Sequence, residues 1–130
     1  MSIVSSFPDI ASAMLFALVP LEPDIRFVTV LPAGDQDEIM ARIHRIAGAN
    51  RDIYIDRPLI DIDVFGPKAD DGLVSDAARR IQAHILSFAS TVVLNGVIQH
   101  ANTIAGPRPL PEPNPAYVRY SASYEVQIHA

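Results

Sequence analysis

Asp56-Arg-Pro-Leu-Ile-Asp-Ile-Asp-Val-Phe-Gly66 reads as a strand whose two faces differ in chemistry. Alternation with period 2 puts Ile60, Ile62 and Val64 on one face and Leu59, Asp61, Asp63 and Phe65 on the other. Pro58 near its start and Gly66-Pro67 at its end set its expected limits, since proline cannot donate to a sheet ladder and Gly-Pro punctuates turns. A helical pattern follows directly, so the strand is expected to be the central rib of a sheet, its aliphatic face receiving that helix. The two aspartates are then expected to face water, a partner chain or a ligand, because an unpaired buried carboxylate is costly.

Outward from this rib, residues 68–90 carry the helical pattern. Leu73, Ala77, Ile81, Ile85 and Phe88 form one stripe, widened by Val74 and Ala78, while Asp70, Asp71 and Asp76 crowd the early turns where the helix dipole favours negative charge. On the other side of the rib, residues 39–47 have ambiguous periodicity. Strand is expected, because Gly48-Ala-Asn-Arg-Asp52 looks like the tip of an excursion that returns to the rib as an antiparallel meander. Arg42, Arg45, Arg51 and Arg57 concentrate positive charge on this arm, near residues 39–57.

Toward the start of the chain, Pro8-Asp9 suits the first turn of a helix bearing Ile10, Met14, Leu15 and Leu18, which should stop before Pro20. Ile25-Arg-Phe-Val-Thr-Val-Leu31 is apolar on both faces, as an internal strand would be. Toward the end, Asn95-Gly96 either caps the helical region or turns a small hairpin after Val92-Val-Leu94, and residues 97–105 form a weaker strand. Residues 106–115 contain five prolines and are expected to be an extended crossing with no ladder of their own. The last stretch alternates cleanly, with Val118, Tyr120, Ala122, Tyr124, Val126 and Ile128 on a core face and Arg119, Ser121, Ser123, Glu125, Gln127 and His129 on a wet one. The expected fold is α+β: two helices packed on a curved, mostly antiparallel or mixed sheet of about five strands, in the order α-β-β-β-α-β-β, as one domain over residues 1–130.

Composition narrows the function classes. With 49% hydrophobic residues the chain can bury a core, which excludes disorder throughout. A formal charge of -5 and a pI near 5.1 oppose a general grip on nucleic acid, although nine of the ten basic residues are arginine, which suits bidentate pairing at interfaces. Without cysteine there are no disulfides and no thiolate metal sites. The first apolar run, residues 11–21, is too short to span a bilayer, and no secretion signal is expected.

Asp61 and Asp63, two residues apart on one face, have the spacing to offer paired carboxylates to a cation or a reacting bond. No third acidic residue obviously converges on them, so a solvated or subunit-facing strand surface is the simpler reading. His44, His84, His100 and His129 lack metal-type spacing, and there is neither a Gly-x-Ser-x-Gly elbow nor a glycine-rich phosphate loop. Tyr117, Tyr120 and Tyr124 have the chemistry of a base-stacking platform, but Tyr120 and Tyr124 share the apolar face. No catalytic, cofactor-binding or metal-binding residue is expected, which favours a structural or interaction role.

Taken in order, Phe7-Pro-Asp9, Arg26-Phe-Val-Thr-Val-Leu-Pro32, Asp56-Arg-Pro58, Ile60-Asp-Ile-Asp-Val-Phe-Gly66, Gly106-Pro107 and Val118-Arg-Tyr-Ser-Ala-Ser-Tyr124 resemble the blocks of tail terminator proteins from long-tailed actinobacteriophages. The resemblance covers nearly the whole chain and is carried by the succession of blocks. It implies a fold similar to lambda-type tail terminators, small α/β proteins that assemble as a hexameric ring on the last tail-tube ring, stop tube polymerisation and offer a surface to the head-side connector. The partners it implies are further copies of the chain, the tail tube protein and the head-tail connector protein, with DNA met only in passage through the ring lumen, no membrane and no cofactor. It also implies a place at the neck end of the virion tail, reached from the host cytoplasm. A ring that closes needs two different complementary patches on each subunit. Arg42, Arg45, Arg51 and Arg57 are the expected basic patch, with Asp61 and Asp63, or the turn bearing Asp35, Asp37 and Glu38, as its acidic counterpart on a neighbour. The alternatives are a head-completion or connector protein of the same particle, a small metal-dependent hydrolase using Asp61 and Asp63, and a host-protein-binding module.

Overall fold

The computed structural model describes residues 9–32, 37–50, 55–93 and 96–129, the side chains at 49 and 50 excepted. The rib expected from the sequence is β3, Ile55–Pro67, which pairs antiparallel with β2, Met40–Asn50, on one side and with β6, Tyr117–His129, on the other. Pro58 does not limit the strand as expected; it lies inside, opposite Gly48. The β2 register shifts nearby, between Arg45 and Ala47, and on the other side the β3–β6 register skips residues 57 and 58, where the proline has no N–H to give. The ambiguous segment before it is strand, as expected.

Among the described residues six strands form one mixed sheet in the order β1-β2-β3-β6-β5-β4, with α1, Ile10–Leu18, and α2, Asp71–Leu86, packed on it. The class is the expected one. The extra strand is β4, Thr91–Val93, which takes the hairpin alternative and pairs with the start of β5, Gly96–Leu110. β1, Arg26–Val28, departs from expectation: it is a three-residue edge strand, parallel to β2, and Val30 beyond it is 78% exposed. Apolar residues on both faces suggested two neighbours, but Ile25 is buried in the core just before the strand, Phe27 packs partly against it, and the chain turns away before Pro32.

Asp9 caps α1, its carboxylate accepting from the Ala11 N–H at 3.2 Å and the Ser12 hydroxyl at 2.8 Å. The helix tightens into a short 3₁₀ turn, Val19–Leu21, that accommodates Pro20. Directly after it, Glu22 accepts from Arg80 Nε at 2.8 Å and meets His84 Nε2 at 3.2 Å, tying the exit of α1 to α2. Burial pushes the Glu22 carboxyl up, but Arg80 and His84 outweigh it and hold the group below its ordinary value.

The helix α2 buries Val74, Ala77, Ala78, Ile81 and Ile85 over the Ile60, Ile62 and Val64 face of β3, with Phe88 buried after its end. Leu73, expected in the stripe, is 58% exposed. At 3.6 residues per turn it stands about 100° around the helix from Val74, and the stripe is centred on the Val74 side. The first turn of α2 is also held from the sheet, where the Tyr120 hydroxyl donates to Asp71 at 2.8 Å.

Strand and helix approach closely at Gly66, where a Cβ would sit 2.4 Å from Cγ2 of the fully buried Val74. Gly66→Ala is therefore expected to force the start of α2 outward and cost about 1–3 kcal/mol, as overpacking does. A lower denaturant midpoint at unchanged slope is the expected readout.

The proline-rich stretch also departs from expectation, because it carries a ladder: Arg108, Pro109 and Leu110 pair with Ser121, Tyr120 and Arg119. β4 covers only residues 96–98 of β5, so among the described residues the rest of that strand is a sheet edge, where prolines sacrifice no second ladder. A register shift between Ala105 and Arg108 takes up Pro107. Residues 111–116 then turn the chain back into β6. The face of β6 expected to be wet is not fully so: Ser121 and Gln127 are buried, and Gln127 Nε2 donates to the side-chain oxygen of Gln99.

Candidate functional site

Both helices lie on one face of the sheet, and the opposite face carries most of the charge at its centre. Registers put three cross-strand rows there: Met40, Phe65 and Arg119; Arg42, Asp63 and Ser121; His44, Asp61 and Ser123. Each row takes one residue from β2, one from β3 and one from β6. Side chains directly opposite one another are close enough to interact.

The middle row contains an ion pair whose carboxylate is buried. Asp63 is 2% exposed and accepts from Arg42 Nη2 at 2.6 Å, while Arg119 Nε stands 3.7 Å from its second oxygen. Both guanidinium groups also lie over the Phe65 ring, at 5.6 Å for Arg42 and 6.0 Å for Arg119 from the ring centre. Burial pushes the Asp63 carboxyl up, but hydrogen bonding from Ser121 and Arg42 and the charges of Arg119 and Arg42 hold it below the ordinary value of 3.8. The expectation that Asp63 faces water, a partner or a ligand is thereby corrected. Two arginines of its own chain, brought in from both neighbouring strands, make its burial tolerable.

Asp61 shares the face but not the partners, accepting a hydrogen bond from Ser123 Oγ. The two aspartates are thus turned to different groups, and among the described residues no cluster of three or more histidine, aspartate or glutamate side chains is placed to hold a metal ion.

Of the arginines expected to form a basic patch, Arg42 and Arg45 are engaged within their own chain. Arg45 forks onto the buried Asp56 at 2.8 and 3.2 Å and reaches the carbonyls of Ala47 and Gly48. These bonds clamp the β2–β3 hairpin near its tip. Arg57 is exposed on the same hairpin, and Arg51 lies outside the described residues. In the acidic turn, Asp35 likewise lies outside them, while Glu38 pairs with Arg26 at 3.0 Å.

A cavity of about 360 Å³ opens beside the Phe65 row. Leu31, Pro32, Met40 and Phe65 supply apolar wall; Arg42, Arg119 and Glu112 supply charge. Sequence reasoning missed Arg119, Phe65 and Ser121 as parts of this cluster. Alternation placed Arg119 and Ser121 on one face of the last strand, but nothing local says that this strand lies beside β3 rather than at an edge.

This arrangement of two helices on one face of a six-stranded sheet can be set beside solved structures. The chain matches one from the "Virion of native gene transfer agent (GTA) particle" with a TM-score of 0.62, covering 88% of this chain and 84% of that chain at 11% sequence identity. This fold occurs in a virion. A second solved structure matches over 90% of this chain and 92% of its own length, with a TM-score of 0.50 and 15% identity. At such identities the likeness is one of fold alone. No protein-family model matches the sequence, and no curated protein does.

Proposed function

We propose that this chain is a structural virion protein that caps a phage tail tube, ends its polymerisation and presents a joining surface to the head-side connector. The observation that carries this reading is the fold likeness to a virion chain over 88% of the length. The ordered sequence blocks that resemble tail terminators, spread over the same length, point the same way. In this reading the chain acts through shape: a hexameric ring of copies sits on the last tube ring and leaves no free surface of the kind that tube subunits add to. The tail tube protein and the connector are its partners, and DNA passes through the lumen.

A hairpin clamped internally by two buried carboxylates is a rigid element on which to build one half of a heterologous contact. Arg45–Asp56 and Arg42–Asp63 are the clamps, and Arg57, together with Arg51, is the proposed basic contact to acidic groups of the next copy. Charge reversal, Arg51→Glu with Arg57→Glu, is expected to lower the mass of the assembly in size-exclusion light scattering while leaving the thermal midpoint unchanged. An assembly of unchanged mass would remove these two residues from the interface.

Negatively stained images of the purified protein mixed with growing tail tubes test the whole reading. The expected result is protein at one end of tubes of limited length. Binding to heads, with tubes still lengthening, would point to a head-completion protein of the same particle.

A further inference from the structure

We infer that the cavity beside Phe65 binds a single carboxylate side chain carried on a short apolar segment of a partner protein. Arg42 and Arg119 stand on either side of β3, both over the Phe65 ring and both lining this cavity. Their Nε–H groups are buried with no hydrogen-bond partner among the described residues, as is one oxygen of Asp63. Arg119 Nε is 3.7 Å from that oxygen, too far for a hydrogen bond. Asp63 is thus shared by two guanidinium groups whose side chains are 30% and 27% exposed, and the donors they present along the cavity are open to an entering acceptor. The fork of arginine fits a carboxylate in a bidentate fashion, and stacking on Phe65 holds its plane.

The remaining walls select among anions. Arg42 and Arg119 are opposed by Asp63 and Glu112, so the site offers directed donors without a large positive charge. That balance suits a monoanion and disfavours a doubly charged phosphate, as does the chain's net charge of -5. Leu31, Pro32 and Met40 supply apolar surface for the segment that carries the acid, and about 360 Å³ lies at the small end of the range for ligand pockets, roughly 300–1,000 Å³. The inference concerns this pocket and does not depend on the tail-capping reading.

The test follows the arginine Nε–H resonances of the full-length protein while N-acetyl-Leu-Glu-Leu-amide, its Gln counterpart or inorganic phosphate is added. The Glu peptide is expected to shift the Arg42 and Arg119 signals saturably, with the Gln peptide binding at least about tenfold more weakly, the ratio expected when a charge-assisted hydrogen bond is lost. Arg119→Met should abolish the response, and Arg119→Lys should retain a weakened one. Absence of saturable shifts with the Glu peptide, equal binding of the two peptides, or tighter binding of phosphate would each overturn the inference. The comparison of ligands on the unaltered protein decides the matter even where a variant folds poorly.

Discussion

Gly48→Ala should destabilise the protein by about 3 kcal/mol or more, the sum of a backbone conformation that L side chains avoid and a clash that cannot be relieved by rotation. Gly48 has φ +110°, and a Cβ there would lie 2.4 Å from the Arg57 carbonyl oxygen, 2.7 Å from Pro58 Cα and 2.8 Å from the Leu59 nitrogen. All three are backbone atoms of the facing strand. The only escape is to part β2 from β3 at the hairpin, which also pulls Arg45 away from Asp56. Urea melts should show the loss, and a matched Gly72→Ala control should show none. A Cβ at Gly72 meets nothing within 4 Å and sits in α2, so that change is expected to be neutral or stabilising by up to about 1 kcal/mol. An unchanged midpoint for Gly48→Ala would mean that the hairpin does not close as described.

The second large effect is expected from Arg42→Met. Methionine preserves much of the contact with Phe65 but removes the hydrogen-bonded charge, leaving Asp63 buried with Arg119 3.7 Å from its other oxygen. Removing one partner of a buried pair typically costs about 3–5 kcal/mol; because Arg42 is itself part-exposed, about 3 kcal/mol is expected at neutral pH. The pH dependence identifies the cause. Asp63 is held below 3.8 in the folded protein, so its stabilising contribution is complete above that value and is lost as pH falls through the lower folded-state value. Losing Arg42 removes part of that depression. The gap between unaltered protein and variant should therefore be widest at neutral pH and shrink below about pH 3.8. A gap of equal size at pH 7 and pH 3 would assign the loss to packing on Phe65 instead of to charge.

Which features were legible beforehand follows from how far each physical signal reaches along the chain. Ile60, Ile62 and Val64 announced a strand with one apolar face, and Val74 to Ile85 announced the helix that covers it, because both signals repeat within a few residues. The same locality explains the misreadings. Val28 and Val30 looked like an internal strand, yet whether a second strand lies alongside is not encoded within seven residues. Pro107 and Pro109 looked incompatible with a ladder because proline lacks an N–H, but a strand paired on one side only leaves room for it. Leu73 was assigned by spacing to a stripe whose centre depends on how α2 sits over the sheet, with Val74 packed on Gly66.

By itself the sequence determined most element types, the apolar face of the central strand, the start of a helix near Asp9, and the identity of a strand with two aspartates at the middle of the fold. Tertiary structure alone decided what those aspartates meet. Arg42 lies 21 residues before Asp63, and Arg119 arrives from the last strand of the chain. The three converge only because β2 and β6 pair with β3 in one particular register, and a slip of one residue would send every one of these side chains to the other face. Local propensity sets period and polarity, whereas register is set by which long-range pairing buries the most apolar surface without stranding a charge.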